Sequence, residues 1–493
     1  MSTAPSSGTG TTDAVEPPEA RNGFDRFFEI TRRGSTVGTE VRGGLVTFVT
    51  MAYIVILNPI ILSSTTDVAG NSLAFPQVAA VTALTAGVMT VLFGLVTRLP
   101  FAFAAGLGIN SFLAVSVVGQ LTWPEAMGLV VINGLIIVLL AATGLRRMIF
   151  NAVPIQLKLA ITVGIGLFIA FIGFVDAGFV TSTGTGSPPV GLGINGSVAT
   201  VPTLVFVITL LLTGVLVARK VKGGILIGLV SGTVIALVVE AIWHIGPKLT
   251  DKGVNPGGWG LTVPQLPTSL VSIPDLSLVG NVDLFGAFAR IGVLAALMLV
   301  FTLVFTNFFD AMGTMTGLSK EAGLADEKGD FPRIKSALIV EGVGAVAGGY
   351  ASASSNTVFI ESGAGIGEGA RTGFANVVTG VLFLAAMFFT PIVSIVPSEV
   401  AAAALVIVGA LMMSQIRFID FSEFSVLLPV FLAITVMPLT YSIANGIGAG
   451  FISWVVIRSL SGKAKEISPL LWIVAAGFLI YFARGPVETL LGG

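Results

Sequence analysis

The chain has 493 residues, 54% hydrophobic and only 10% charged, with a formal net charge of −1, whereas soluble domains average about 25% charged residues. With a mean hydropathy of +0.97 it reads as a polytopic membrane protein, and its near-zero charge leaves neither a nucleic-acid footprint nor a global field to steer an anion. The absence of cysteine excludes disulfides, thiolate metal sites and cysteine nucleophiles, and the single His244 excludes a histidine-clustered metal site.

Residues 1–25 are polar and low in complexity, and no apolar h-region precedes a cleavage site. The expectation is a disordered tail, within an N-terminal segment of residues 1–40, and no cleaved signal peptide. Apolar stretches then fall near 44–62, 77–96, 101–119, 125–144, 157–177, 200–218 and 224–243. A polar, Gly/Pro-rich loop covers 245–285. A second series falls near 291–317, 334–350, 355–369, 372–393, 397–414, 423–438 and 441–459. One more apolar run, 467–483, either crosses the membrane, lies against the bundle, or belongs to a helix counted twice.

Of the 25 basic residues, all but Lys248, Lys252, Arg290 and Arg484 fall in alternate loops that share one side of the membrane. Lys/Arg bias in short loops sets orientation, so the expectation is fourteen crossings with the N-terminus cytoplasmic. Seven spans per half is an odd number, so an internal repeat must be inverted. Val153-Pro154 and Val396-Pro397 open the fifth and twelfth spans alike. Val205 to Thr209 in the sixth resembles Val430 to Thr435 in the thirteenth. Ala105-Gly106-Leu107-Gly108-Ile109 in the third span matches Ser362-Gly363-Ala364-Gly365-Ile366 in the tenth, and each follows an extended-looking run. Paired Gly-interrupted segments in the two halves point to a transporter's midplane site.

Glu361 lies in the second of these segments. A carboxylate at membrane depth costs about 2.5–3.5 kcal/mol on insertion scales, and irregular backbone there is tolerated only in protein or beside a wet cavity. The reading is a substrate site formed where two broken helices meet and offer N–H groups and partial positive charge. The repeat pairs Glu361 with Ala104, and Asn110, two residues past Gly108, supplies the polar group opposite. The competing reading of Glu361 is a helix N-cap satisfied by backbone amides. In the eighth span Thr302, Thr306, Asp310 and Thr314 recur every four residues on one face, with Asn307 beside Asp310. They read as a second cavity wall with Asp310 as proton carrier, or as a helix–helix seam. Phe359, Phe103 or Phe101 could stack on a ring. Glu341 reads equally as a proton relay, a cation partner or a structural pair; Glu240 and Asp176 read as solvated, and Glu368 with Arg371 as an ion pair. No GxxxxGK[ST] motif suggests ATP-driven transport, and no arginine sits mid-span to meet a multivalent anion.

The runs Thr47 to Pro59, Ala105 to Phe112, Thr357 to Ser362, Gly367 to Gly373 and Met437 to Ile447 resemble the purine branch of the nucleobase:cation symporter-2 family. That branch is the azaguanine/hypoxanthine/guanine/adenine permease type, and the similarity covers roughly residues 27–460. The resemblance implies an all-α membrane fold of about fourteen segments in a seven-plus-seven inverted repeat. Spans 1–4 (41–150) and 8–11 (291–395) would form a core domain. Spans 5–7 (151–245) and 12–14 (within 396–493) would form a gate domain, with residues 246–290 an extracellular loop. It implies proton-coupled uptake of a purine nucleobase, with no cofactor, by movement of core against gate, and a possible homodimer in lipid. By position it assigns substrate binding to Glu361, Asn110, Gly108, Asn307, Phe359 and Ser362, and proton coupling to Asp310 and Glu361. Asn307 stands where the family usually has Asp; it cannot carry a proton but can donate as well as accept. Alternatives are an uncoupled nucleobase facilitator and an anion transporter of the same fold.

Overall fold

The computed structural model describes residue 20 and residues 22–144, 152–184, 187–194, 196–198, 200–250, 253–325 and 331–490. Residues 1–19, Arg21, Arg146, Arg147, Lys252, Lys328 and the side chain of Arg484 lie outside them. Among the described residues, ten helices are long and apolar enough to cross a membrane. The chain is an integral, multi-pass, mostly helical membrane protein.

In chain order the helices are α1 (Val37–Met51), α2 (Ile54–Ser63) and α3 (Phe75–Thr97). Strand β1 (Phe103–Ala105) then leads into α4 (Leu107–Phe112), followed by α5 (Trp123–Thr143), α6 (Ile155–Asp176), α7 (Val201–Ala218) and α8 (Gly224–Trp243). After the long loop come α9 (Val293–Glu321) and α10 (Ile334–Tyr350), then strand β2 (Asn356–Val358) leading into α11 (Ser362–Gly367). The chain continues with α12 (Gly373–Ala386), α13 (Ser398–Met413), α14 (Phe424–Leu439), α15 (Ile443–Arg458) and α16 (Pro469–Leu490). Every apolar stretch read from the sequence therefore becomes an element. The third, ninth, tenth and thirteenth fall short of a full crossing, because at 1.5 Å per residue a helix needs about 20 residues to span the hydrocarbon, whereas the helical turns that follow α12, α13 and α15 carry those spans on to Val393, Phe418 and Glu466.

The helices pack in two groups. In one, α5 lies on α10, α12 on α3 and α1, and α2 and α10 on α3; in the other, α13 lies on α6 and α7, α14 on α15 and α6, and α8 on α7. The final helix, α16, rests on α15 and α9. Glycine permits the closest approaches. A Cβ at Gly373 of α12 would overlap the Gly94 carbonyl of α3, and one at Gly166 of α6 would sit 2.7 Å from the Gly409 carbonyl of α13. Both α6 and α13 start directly after a proline in extended conformation, Pro154 and Pro397. Proline cannot donate, so it forfeits nothing at a helix start.

Three expectations are corrected here. The N-terminal stretch folds from Asn22 onward: Asn22 caps a helix, Gly23–Phe28, by accepting from the Asp25 amide at 2.8 Å. Phe24 and Phe28 place their rings against Phe374 at 4.9 and 5.5 Å. Glu240 is half-buried and its carboxylate is engaged by protein groups rather than left to water alone. Its carboxylate accepts from the Ile245 amide (3.0 Å) and the Trp259 indole (2.8 Å), and so pins the long loop. Glu368 does not pair with Arg371; it bridges Arg42 (2.9 Å) and Lys222, while Arg371 donates to the Ile366 and Ala370 carbonyls.

Candidate functional site

The two short strands pair antiparallel, with Phe103 opposite Val358, Ala104 opposite Thr357 and Ala105 opposite Asn356. Flanking bonds from the Gly106 amide to the Ser355 carbonyl (2.9 Å) and from the Phe359 amide to the Ala102 carbonyl (3.0 Å) extend the ladder. All six strand residues are buried. Mutual pairing is what lets extended backbone exist at this depth, since each strand satisfies the other's polar groups. The ladder centres on Ala104 and Thr357, which relates Glu361 to Gly108. Matching the helix starts relates it to Gly106, because the link from β2 into α11 is two residues longer than that from β1 into α4. Neither matches the Ala104 that the sequence repeat suggested.

Glu361 occupies the residue before α11, yet its side chain caps nothing. One carboxylate oxygen accepts the hydroxyl of Tyr53 instead. Tyr53 sits at the turn between α1 and α2, where the Ile56 amide bonds the Tyr53 carbonyl at 3.0 Å. Only 1% of it is exposed, so its hydroxyl needs a partner and Glu361 supplies one. The sequence quotes Tyr53 inside an apolar run, where an aromatic residue reads as core, and nothing there marks it as the carboxylate's orienter. The first amides of α11 are not free for a ligand. Those of Ser362, Gly363 and Ala364 bond the carbonyls of Phe359, Ile360 and Glu361 at 3.2, 2.9 and 2.9 Å.

The remaining candidates separate into two kinds. Asn110 is fully buried and neither atom of its amide has a hydrogen-bond partner. Asn307 donates to the Ser355 hydroxyl at 3.0 Å, leaving its oxygen unpaired. Asp310, one turn further along α9, is partly exposed and within electrostatic reach of Glu361. These keep capacity for a ligand or a proton. Ser362 does not. Its hydroxyl accepts from the Ala102 amide (2.9 Å) and donates to the Phe359 carbonyl (2.7 Å), so it ties the two broken segments together. Gly108 faces α6, where a Cβ would meet the Ile165 side chain at 2.9 Å. Phe101 and Phe103 are fully buried against Phe93, with ring centroids 6.2 and 4.8 Å away. Of the three aromatic candidates only Phe359 keeps some exposure, 7%. Thr302 bonds its own helix at Met298 (2.9 Å) and Thr306 is buried without a partner, so neither gives a hydrogen bond to a helix–helix seam.

Elements of the second helix group close over this region. The Lys158 ammonium of α6 stands 5.7 Å from the ring centroid of Phe309, beside Asp310. Ser116, just past α4, donates to the Tyr441 carbonyl at 3.2 Å. The carboxylates thus lie where the two groups meet.

A sequence profile described as Permease family matches residues 38–449. The guanine/hypoxanthine permease PbuG of Bacillus subtilis (strain 168) is 37% identical over 468 residues, covering 92% of this chain and 98% of that protein. The adenine permease AdeP of Escherichia coli (strain K12) is 34% identical over 461 residues, covering 93% of this chain and 95% of that protein. Among solved structures, the transmembrane domain of the cyanobacterial bicarbonate transporter BicA matches with a TM-score of 0.57 at 13% identity, covering 85% of this chain and 96% of that one. At that identity the likeness concerns the fold alone.

Proposed function

The chain belongs to the nucleobase:cation symporter-2 family of permeases, and from that premise we propose that it takes up a purine nucleobase together with protons. One observation carries the reading: Glu361, held by Tyr53 at the crossing of two broken segments, with the unpartnered amide of Asn110 on the other segment. A purine such as hypoxanthine or guanine offers ring N–H donors beside a carbonyl. An ionised carboxylate only accepts, so Glu361 suits the N–H groups, and its charge strengthens those bonds. The Asn110 amide can donate to a carbonyl and accept from a further N–H. The named relatives carry guanine, hypoxanthine or adenine, which agrees with this chemistry. A carboxylate without a mid-span arginine is unsuited to an anion, so the likeness to a bicarbonate transporter is taken for the fold only.

The proton enters the reading through Asp310. Its protonation, or that of Glu361, neutralises the site before it moves through the membrane, which lowers the cost of carrying charge. The moving body is α1–α5 with α9–α12, the stationary one α6–α8 with α13–α15, which also serves as the surface of any homodimer. Support for a seven-plus-seven inverted arrangement comes from exchange of partners: the second span, α3, packs on the eleventh, α12, and the fourth, α5, on the ninth, α10, pairs that swap when the halves are exchanged. Arg33, Arg98 and Arg333 gather around Glu29 at one end of the bundle, at 2.8, 3.1 and 3.5 Å. We assign that end to the cytoplasm.

The test is uptake of radiolabelled hypoxanthine in a bacterial host lacking purine transport, with adenine, guanine, xanthine and uracil as competitors, with and without a protonophore. Protonophore-sensitive uptake, blocked by purines and not by uracil, is the expected outcome. Uptake indifferent to the protonophore would replace symport by facilitation, and absence of uptake by an expressed chain would remove the purine reading.

A further inference from the structure

The boundary between the helix groups is filled differently at two places. At one, α15 of the second group packs on α9 of the first, and α16 rests on both. The Phe478 ring of α16 lies 5.6 Å from Phe301 of α9 and 6.4 Å from Phe451 of α15, and a Cβ at Gly477 would meet Met298 at 3.6 Å. The chain supplies its own apolar filling there. At the other, α8 of the second group packs on α1 of the first, and a cavity of about 510 Å³ remains. Its walls include Phe48 of α1, Leu226, Val230 and Leu237 of α8, and Phe389 just past α12. Among the described residues Thr233 is the one polar member of the lining, and its hydroxyl is spent on the Leu229 carbonyl at 2.7 Å. A purine would leave its polar groups unpaired here, so this is no second purine site.

Val230 is 55% exposed, so the cavity opens toward the hydrocarbon of the membrane. A void forfeits the dispersion contacts of its lining, which favours an apolar occupant. From Leu226 to Leu237 the α8 wall runs about 16 Å at 1.5 Å per residue, roughly half of a hydrocarbon core about 30 Å thick. That is the depth of one leaflet's acyl chain. Residues 1–19 contain no Leu, Ile or aromatic residue, so this tail cannot play the part that α16 plays at the other place. A partner's rigid helix would fix α8 to α1, whereas a flexible chain lets them slide.

The end of the crevice carries the charge that a headgroup needs. The turn between α7 and α8 is seated on α1, where a Cβ at Gly223 would meet Val49 at 2.6 Å. This turn holds Arg219, Lys220 and Lys222, and Arg42 precedes Phe48 on α1. Lys222 and Arg42 share Glu368, and Glu40 is held by the Arg371 and Thr372 amides at 2.8 and 3.2 Å. Arg219 and Lys220 are exposed and make no ion pair among the described residues. Cation clusters at the cytoplasmic ends of membrane helices attract anionic lipid.

We propose that this crevice binds an anionic phospholipid of the cytoplasmic leaflet, with one acyl chain between α8 and the α1–α2 turn and the phosphate on Arg219, Lys220 and Lys222. The guanidinium and ammonium groups only donate and the phosphate only accepts, so the pairing is charge-assisted. The acyl chain stands behind the candidate purine site. Ala52, Val55 and Ile56 line the cavity, and Tyr53, between them in the chain, turns instead to Glu361. A bound chain therefore supports from behind the turn that orients the carboxylate. A ligand that binds only the assembled arrangement stabilises it, so lipid bound here favours the oriented Glu361. That effect on transport rests on the purine reading given above; the lipid site itself does not.

The probe is phosphatidylglycerol carrying a diazirine midway along one chain, photolysed with the full-length protein in phosphatidylcholine liposomes. Adducts are expected in the peptides that hold 48–56 and 226–237, reduced at least tenfold by unlabelled phosphatidylglycerol and not by added phosphatidylcholine. Val230→Trp, which fills the cavity from α8, is expected to lower labelling of 48–56 at least fivefold. The double variant Arg219→Gln, Lys220→Gln leaves the packing untouched and is expected to abolish the preference for phosphatidylglycerol. Counterflow of radiolabelled hypoxanthine by wild type should rise severalfold with phosphatidylglycerol, and that by Val230→Trp should not respond. Labelling spread evenly over the lipid-facing helices, or competed equally by both lipids, means contact with bulk bilayer only and overturns the proposal. Full labelling of Val230→Trp overturns it as well, and so does a second copy of the chain cross-linked through 48–56 in place of lipid. Failure of the purine reading looks different, because wild type would then exchange no hypoxanthine while the labelling pattern still decides the lipid site.

Discussion

Tyr53 shows how much of a binding carboxylate's behaviour is set by a neighbour. Its hydroxyl is the donor that Glu361 finds within the protein, and hydrogen bonds to charged groups contribute about 1.5–3 kcal/mol. Tyr53→Phe removes that donor while keeping the ring that fills the turn between α1 and α2. The free carboxylate then loses its fixed orientation, and the expected outcome is a KM for hypoxanthine raised about tenfold, since about 1.4 kcal/mol is a factor of ten. Initial-rate uptake at matched expression measures it. A lowered KM would reverse the assignment and make Tyr53 a competitor that substrate must displace. Glu361→Gln differs in kind: it replaces an acceptor of charge by a neutral amide, so substrate-dependent counterflow itself is expected to fall below detection.

At the scale of elements, the apolar stretches were legible because length and hydropathy suffice to mark a membrane helix. The two broken segments were legible as well, since glycine and short extended runs interrupt the helical pattern at 101–109 and 357–366. Strand register was not. It depends on which backbone groups meet across the pair, and a Gly-rich pentamer matches at several offsets. Glu368 was misread for a related reason. Its sequence neighbour Arg371 is spent on carbonyls that end α11, while Lys222 reaches it from far along the chain. The N-terminal helix Gly23–Phe28 was hidden by the polar tail before it, and its anchor is Glu29. Burial raises that carboxyl's proton affinity, but Arg33 first, then Arg98 and Arg333, outweigh it and hold the group below the usual carboxylate range. A lowered value in the fold means that Glu29 stabilises above the unfolded pKa of about 4.3. That contribution is lost as pH falls through the folded value. Thermal unfolding of detergent-solubilised protein should show Glu29→Gln melting below wild type at pH 7, with the gap closing below about pH 4. A gap that stays constant down to that pH would mean Glu29 acts by packing alone.

For the whole molecule, the question is whether the two helix groups move against each other while the site travels. Among the described residues, ion pairs join them at the end where basic residues gather. Lys222, in the turn between α7 and α8, reaches Glu368 at the end of α11, and Arg42 of α1 shares the same carboxylate at 2.9 Å. Lys222 is 59% exposed and Arg42 62%, so screening by salt leaves each pair little intrinsic strength. A contact that weak can be made and broken in every cycle, whereas a covalent one cannot. The natural chain contains no cysteine, so the double variant Lys222→Cys, Glu368→Cys carries its only two thiols. The expected outcome is near-normal hypoxanthine uptake before treatment, because the salt bridge contributes only about 0–1 kcal/mol. A short bis-methanethiosulfonate reagent should then abolish uptake, and dithiothreitol should restore it. Each single-cysteine variant should be indifferent to the same treatment. If the cross-linked double variant keeps transporting, the two groups do not separate at this end, and purine passes through a site that opens by local rearrangement of β1, β2 and their helices.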